Sequence, residues 1–297
     1  MTDEPLDTLI VGGGPAGLTA ALYLGRSRKS VRVLDRGSPR HSVSDGVHNF
    51  LTREGVAPAA LRAIAWEQMA AYPAVAHQQA DVHALTWADG HWHAHTDDGV
   101  VTAHTALLAT GVIDEHPEIP GFRERWAHSI HQCPYCHGWE MRDRPLAVLA
   151  SGPAAAHLPA LLRGWTDDVV LLTHGGEVDA ETRTSLHDLG IPVYDAPVAA
   201  LEGPGRALTH VVLTDGTRLA RQGLFSVAPQ RQVALVQDLG LDLDDMGYVS
   251  VDAFGATSRE RLWAAGDLTT RGQQVVLSAA QGAAAAIGIN AALTLHG

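Results

Sequence analysis

The chain is poor in cysteine, in positive charge and in long apolar runs. Only two of its 297 residues are cysteine, which excludes the disulfide-stapled framework of small secreted domains. Its 21 basic residues face 33 acidic ones, for a formal net charge of −12. A nucleic-acid or anionic-membrane surface needs a basic face, and this balance argues against both. No run approaches the roughly 18 uninterrupted apolar residues of a membrane span, and the Ala-rich stretch 279–292 is short and carries Gln281 and Asn290. The amino terminus, Met1-Thr2-Asp3-Glu4-Pro5, lacks the basic region and apolar core of a secretory signal. The expectation is a cytoplasmic chain with no nucleic-acid or membrane partner. In that compartment a lone thiol pair is more often catalytic or metal-binding than structural.

Both cysteines lie in Cys133-Pro134-Tyr135-Cys136-His137. Two thiols separated by two residues close a small disulfide without moving the backbone far, which is the working part of many redox enzymes. The same string matches c-type haem attachment, which needs export or special machinery. A zinc set of His131, Cys133, Cys136 and His137 is crowded within seven positions, against a tetrahedron. No metal is therefore assigned, and Cys133 and Cys136 are expected to act as a redox dithiol. Thiolate is the reactive form, and a thiol of pKa about 8.5 needs help at neutral pH. His137 can give it as a base or as a cation beside the sulfur. His131 is a second candidate, and with 17 histidines in the chain simple packing is the alternative for either.

With 46% hydrophobic residues the chain has ample material for cores, and its length suggests two domains. Leu6–Val11 reads as a buried strand, Leu18–Arg28 as a helix and Val31–Leu34 as a second strand ending at Asp35. Between the first two lies Gly12-Gly13-Gly14-Pro15-Ala16-Gly17, a G-x-G-x-x-G turn in its proper strand–turn–helix context. Such a turn brings backbone N–H groups and a helix N-terminus to a pyrophosphate, and Asp35 lies where a carboxylate accepts from a ribose hydroxyl. Residues 80–87 and 92–96 read as a small antiparallel pair turning at Asp89-Gly90, and Ala106–Ala109 as an apolar strand ending in Thr110-Gly111. Pro117, Pro120 and Gly121 mark a break. A second strand–turn–helix–strand unit follows at 146–173, but in damaged form: Ala150 and Ala155 replace two glycines, only Gly152 survives, and His174-Gly175-Gly176 offers neither arginine nor acid. Near the end, the apolar strand 262–265 runs into Gly266-Asp267, suited to set a carboxylate against a polar ligand group, with a small-residue helix at 278–292.

Four features in order, GGGPAG at Gly12–Gly17, ATG at Ala109–Gly111, CPYC at Cys133–Cys136 and AAGD at Ala264–Asp267, make the chain resemble the low-molecular-weight thioredoxin reductases over nearly its full length. These are pyridine nucleotide-disulfide oxidoreductases. The resemblance implies an α/β protein of two doubly wound, Rossmann-like, three-layer domains. An FAD domain would comprise residues 1–114 and 231–297, with an NAD(P)-type domain inserted at 115–230 and carrying the CxxC. It implies FAD as cofactor, bound by Gly12, Gly14, Pro15, Ala16, Gly17, Asp35, Thr110, Gly111, Gly266 and Asp267. Asn49 would meet the flavin ring, Gln274 (with Gln273) its pyrimidine edge, and His48 would border the same site. Family members are commonly homodimers.

The string Cys-Pro-Tyr-Cys-His-Gly-Trp-Glu resembles the branch holding gliotoxin- and holomycin-type dithiol oxidases. Ordinary thioredoxin reductases place an Asp after the second Cys and keep an intact NADPH motif with an arginine cluster. Here His137 stands in that place and both NADPH features are missing, which speaks against NADPH. By resemblance Cys136 faces the flavin and Cys133 exchanges with substrate; most tryptophans read as packing, and Trp139, two residues past His137, is the one placed to line the cleft. The expected activity is FAD-dependent oxidation of a dithiol, small-molecule or protein, to its disulfide, with electrons passing to oxygen or another acceptor. The alternatives are an NADPH-dependent thioredoxin-disulfide reductase and a flavoprotein redox sensor without turnover.

Overall fold

The computed structural model describes residues 4–295; the first three residues, whose sequence entered the reading of the amino terminus, and the last two lie outside it. The chain divides into two compact units. One takes the residues up to Ser42, Phe50–Ile113 and those from Gln230 onward, and the other takes Val43–Asn49 and Asp114–Pro229. The longer segment of the second unit begins at Asp114, where the sequence reading expected an inserted domain over 115–230. The short excursion 43–49 has no counterpart in the sequence reading, because nothing in SVSDGVHN marks it off from an ordinary loop.

In the first unit β1 (Leu6–Val11), β2 (Val31–Asp35), β3 (Val75–Gln79) and β6 (Gly99–Leu108) pair in parallel in the order β3-β2-β1-β6. The consecutive Leu9, Ile10 and Val11 of β1, and Val31, Val33 and Leu34 of β2, are buried, as a sheet covered on both faces requires. The ten-residue β6 is shared along its far edge. Its first half pairs antiparallel with β5 (His91–Thr96), which pairs with β4 (Ala84–Ala88), and its second half pairs in parallel with Leu262–Ala264. This brings the strand before Gly266-Asp267 into the same sheet as the glycine turn.

One face of that sheet packs on α1 (Pro15–Arg26) and on the C-terminal helix Val275–Leu295, with Ile10, Ala20, Leu24, Leu107, Ala285 and Ile289 in one cluster. The two helices touch closely: a Cβ at Gly282 would sit 2.1 Å from the Ala16 carbonyl oxygen, so only glycine fits there. The C-terminal helix is longer than the sequence reading allowed, because Val275, Val276 and Leu277 extend it at one end and Leu293–Leu295 at the other. At 21 residues and mean hydropathy 1.5 it is long and apolar enough, by length and composition only, to cross a membrane. Its Ala285, Ala286 and Ile289 are core residues of this unit. The opposite face of the sheet is covered without a long helix, by Leu235–Leu241, Tyr248 and Val249.

The second unit has its own five-stranded parallel sheet. β7 (Ile130–His131), β8 (Leu146–Leu149), β9 (Val169–Leu172), β10 (Val193–Tyr194) and β14 (Gly223–Ser226) lie in the order β10-β9-β8-β14-β7. β8 alternates between two cores. Leu146 and Val148 join Leu162 of α4 (Pro153–Leu162) and Leu186 of α5 (Ala180–Asp188), while Ala147 and Leu149 face the other way. That other core includes Val198, Leu201, Val211 and Leu213 from the antiparallel sheet of β11 (Val198–Glu202), β12 (His210–Leu213) and β13 (Arg218–Ala220). Three layers are present, but one outer layer is a sheet rather than helices. In this respect the fold departs from the strictly doubly wound reading. Alternation of apolar residues reports that both faces of a strand are covered, not what covers them.

Candidate active site

In the first unit the glycine turn is closed tightly around the strand ends. A Cβ at Gly12 (φ +111°) would lie 2.3 Å from the Ala109 carbonyl oxygen, and one at Gly17 would lie 2.0 Å from the Gly12 carbonyl oxygen. The first and third glycines are thus required by backbone contact alone. Gly14 differs: it caps α1 with φ −80°, offers no side-chain cap, and has nothing within 4 Å of the position its Cβ would take. Open space over the uncapped first turn, with Pro15 at its first position, is what a pyrophosphate requires. Ala16 is buried beneath it.

Asp35, 7% exposed, lies at the end of β2 against the turn and is ion-paired to Arg62 of the helix α2 (Pro58–Met69). Thr110 and Gly111 (φ +67°) follow β6 beside the same turn. Asp267 is held on both oxygens: Ser278 Oγ donates to Oδ1 at 3.1 Å and Arg40 Nη1 to Oδ2 at 3.0 Å. Arg40 also donates to Gln273 Oε1 at 2.7 Å, and Gln273 pairs its amide with Gln230, which accepts from the Tyr248 hydroxyl at 3.0 Å. Gln274 heads the C-terminal helix, accepting from Ser278 N–H at 2.9 Å. Gly12–Gly17, Asp35, Thr110, Gly111, Gly266, Asp267 and Gln274 thus belong to one unit. Arg40 and Arg62 were missed by the sequence reading. Neither sits in a motif, and the Arg40–Asp267 bond spans 227 positions.

In the second unit the cysteines open a one-turn helix, α3 (Pro134–His137). Cys133 is its N-cap, and its sulfur accepts from Cys136 N–H at 3.3 Å. Such a bond is stronger to a thiolate than to a thiol. Pro134 at the first helical position has a fixed φ and no N–H to leave unsatisfied.

His137 lies in a cluster of imidazoles. Its ring stacks on His131 at 4.2 Å and 16°, and meets His48 edge-on at 5.8 Å. Burial, reinforced by the nearby His48, pushes its pKa below the usual value, outweighing Glu140 and Asp45, which act to raise it. This direction favours the uncharged ring at neutral pH. Its tautomer follows from Ser44. That hydroxyl donates its single hydrogen to the Gly46 carbonyl at 2.9 Å, so at 3.2 Å from His137 Nε2 it accepts. This pairing favours the tautomer with its proton on Nε2 and its lone pair on Nδ1. His131 is driven lower still, to about 3, by burial and then by His137. Its Nε2 donates to the His128 carbonyl at 3.0 Å, and its buried Nδ1 has no partner.

The stretch Val43–Asn49 supplies much of this environment. Ser44 meets His137, Asp45 Oδ2 accepts from His128 Nδ1 at 3.0 Å, His48 lies 3.7 Å from Glu140, and Asn49 Nδ2 donates to the Tyr135 carbonyl at 2.6 Å. Asn49, expected at a flavin ring, is thus bound to the backbone of the CxxC turn. Tyr135 and Trp139 are 62% and 65% exposed, and Arg142 lies 4.0 Å above the Trp139 ring. Among the described residues no group of three or more His, Cys, Asp or Glu is arranged to hold a metal ion.

Residues 6–283 match the pyridine nucleotide-disulphide oxidoreductase family. The chain is similar to a thioredoxin reductase of Aspergillus oryzae, at 31% identity over 95% of both chains. It superposes on a thioredoxin reductase-like protein of Bacillus anthracis with TM-score 0.93 at 34% identity, covering 98% of this chain and 99% of the other. The crystal structure of HlmI matches with TM-score 0.91 at 34% identity, over 98% and 93%. The chain belongs to the pyridine nucleotide-disulphide oxidoreductase family and is a thioredoxin reductase-like oxidoreductase with a CxxC pair. Members of this family typically bind FAD and NAD(P)H.

Proposed function

We propose that the protein oxidises a dithiol to its disulfide through Cys133 and Cys136, with FAD held by the first unit and without NADPH as electron source. One observation carries the reading: the glycine turn of the first unit is intact and open, while its counterpart in the second unit is damaged and its polar groups are already paired. Ala150 and Ala155 stand where glycines belong. The nearby cation, Arg183, is locked on both oxygens of Asp195 at 2.7 and 3.1 Å, and Thr173 also donates to Asp195. His174 Nδ1 accepts from Val198 N–H at 2.9 Å, so that ring nitrogen is already engaged.

Bound FAD supplies a two-electron acceptor for the dithiol and a route for those electrons to oxygen or another acceptor. The chain's own residues hold and prepare the thiols. Gly12–Gly17 and the first turn of α1 take the pyrophosphate, Asp35 with Arg62 fixes the ribose end, and Asp267 with Arg40 takes the polar chain of the cofactor. His137 Nδ1 removes a thiol proton, and the Cys136 N–H steadies charge on Cys133. Substrate dithiol passes two electrons and two protons to a Cys133–Cys136 disulfide and leaves as the disulfide. Tyr135 and Trp139, exposed beside the pair, give the substrate an aromatic wall.

Anaerobic titration of the flavin-loaded protein tests this. A dithiol is expected to bleach the flavin within seconds, and NADPH at micromolar concentration to leave it oxidised. Rapid, complete bleaching by NADPH would establish the rival reading, an NADPH-dependent thioredoxin-disulfide reductase, which the name of the Aspergillus relative favours.

A further inference from the structure

The second unit contains a cavity of about 550 Å³ that neither thiol chemistry nor nucleotide binding uses. Its walls include Ser129, Pro145 and Gln222, the residues immediately before β7, β8 and β14. It therefore opens at the N-terminal edge of the parallel sheet. Nucleotides bind such sheets at the opposite, C-terminal edge, where Ser151 and Gly152 lie.

The lining carries three arginines, Arg144, Arg206 and Arg221, and no aspartate or glutamate. In a chain of net charge −12 this is a local reversal of sign. Arg221 is ion-paired to Asp168, and the other two guanidinium groups have no carboxylate partner among the described residues. Arg144 Nη1 reaches only the Met141 thioether, at 3.8 Å, and Arg206 Nη2 only the Val43 carbonyl, at 3.4 Å. Part of the wall is apolar, from Met141, Pro145 and Leu208. The volume lies within the range of small-molecule sites, roughly 300–1,000 Å³. Guanidinium groups gathered over an apolar floor match a carboxylate or phosphate on a hydrophobic body, because the planar fork takes two anion oxygens at once.

We propose that this cavity binds a small organic anion, an apolar ring or chain whose carboxylate or phosphate head is gripped by Arg144 and Arg206, with Arg221 already held by Asp168. The site is independent of the dithiol reading, since none of its arginines touches the CxxC turn's thiols.

Equilibrium dialysis of the flavin-loaded full chain against 2-naphthoate, 2-naphthyl phosphate and uncharged 2-naphthol tests it. Both anions are expected to bind saturably at one site, and 2-naphthol at least tenfold more weakly. The tighter of the two anions identifies the head group as carboxylate or phosphate. Arg144→Gln and Arg206→Gln are each expected to weaken anion binding about tenfold while flavin content and thermal midpoint stay unchanged. The Cys133→Ser/Cys136→Ser double variant is expected to bind the anions as the wild type does, so loss of thiol activity and loss of this site are read separately. Equal binding of 2-naphthol and the anions, or undiminished anion binding in both arginine variants, overturns the proposal.

Discussion

The two units place the same strand–turn–helix at the head of a parallel sheet, yet only one keeps the chemistry of the turn. In the first, Gly12 and Gly17 are locked against backbone oxygens closer than any side chain permits. In the second, the matching positions are Ala150 and Ala155, the latter fully buried between α4 and the sheet, and a Cβ at Gly152 would meet nothing within 4 Å. Helix-on-sheet packing survives the exchange of glycine for alanine because alanine adds apolar contact at little cost. Close approach of a phosphate to backbone does not survive it. The same strand–turn–helix is thus built with glycines locked by backbone contact in one unit and with alanines in the other, so topology alone does not report the state of the turn.

The largest effect that can break this comparison is Gly17→Ala. It forces α1 off β1 and is expected to yield protein without flavin, read from the 450-to-280 nm absorbance ratio. The mirror change in the second unit, Ala155→Gly, is expected to keep the flavin and cost about 1 kcal/mol of stability in urea titration. A variant Gly17→Ala that purifies fully yellow would remove the distinction between the turns.

Next in size is His137→Gln. It is expected to slow anaerobic flavin bleaching by a dithiol about a hundredfold at pH 7. The deficit should shrink above about pH 8.5, where the thiol ionises unaided. A deficit that is constant with pH would point to packing instead of proton removal.

Gly14→Ala sharpens the cradle itself. Its φ of −80° suits alanine and its surroundings are open, so the flavin-free protein should melt unchanged. FAD affinity should fall about tenfold, or ~1.4 kcal/mol. Undiminished FAD affinity would mean that the pyrophosphate lies elsewhere.

The smallest is an effect of acid. His131 folds with its pKa depressed from 6.5 to about 3, so the unfolded chain binds a proton that the folded chain refuses. Its contribution is complete above pH 6.5 and is lost as pH falls toward 3, at about 1.4 kcal/mol per pH unit at most. His131→Gln should flatten that limb of the stability–pH curve. An unchanged slope would show that the ring is not buried in solution.

What the sequence made legible was local. β1 matches its expected bounds and Asp35 ends β2, because apolar runs, glycines and a terminal acid are adjacent in the chain. The thiol pair and His137 were equally plain. What escaped was contact between distant residues. Arg62 on Asp35, Arg40 on Asp267, and Ser44 on His137, 93 positions away, have no periodicity or spacing to announce them. The imidazole stack is of the same kind: His131 and His137 looked like alternatives for one role and turned out to be face to face. The antiparallel layer of the second unit was hidden because buried alternation looks the same under helices and under strands.

Seven consecutive residues, Val43–Asn49, reach His137, His128, Glu140 and the Tyr135 carbonyl. The surroundings of His137 and of the CxxC turn are therefore supplied in good part by one loop that contributes no strand to either sheet. Such an arrangement is modular: exchanging a heptapeptide retunes the thiol pair while both cores stay as they are, so the reactivity of the pair can diverge between relatives faster than the fold that carries it.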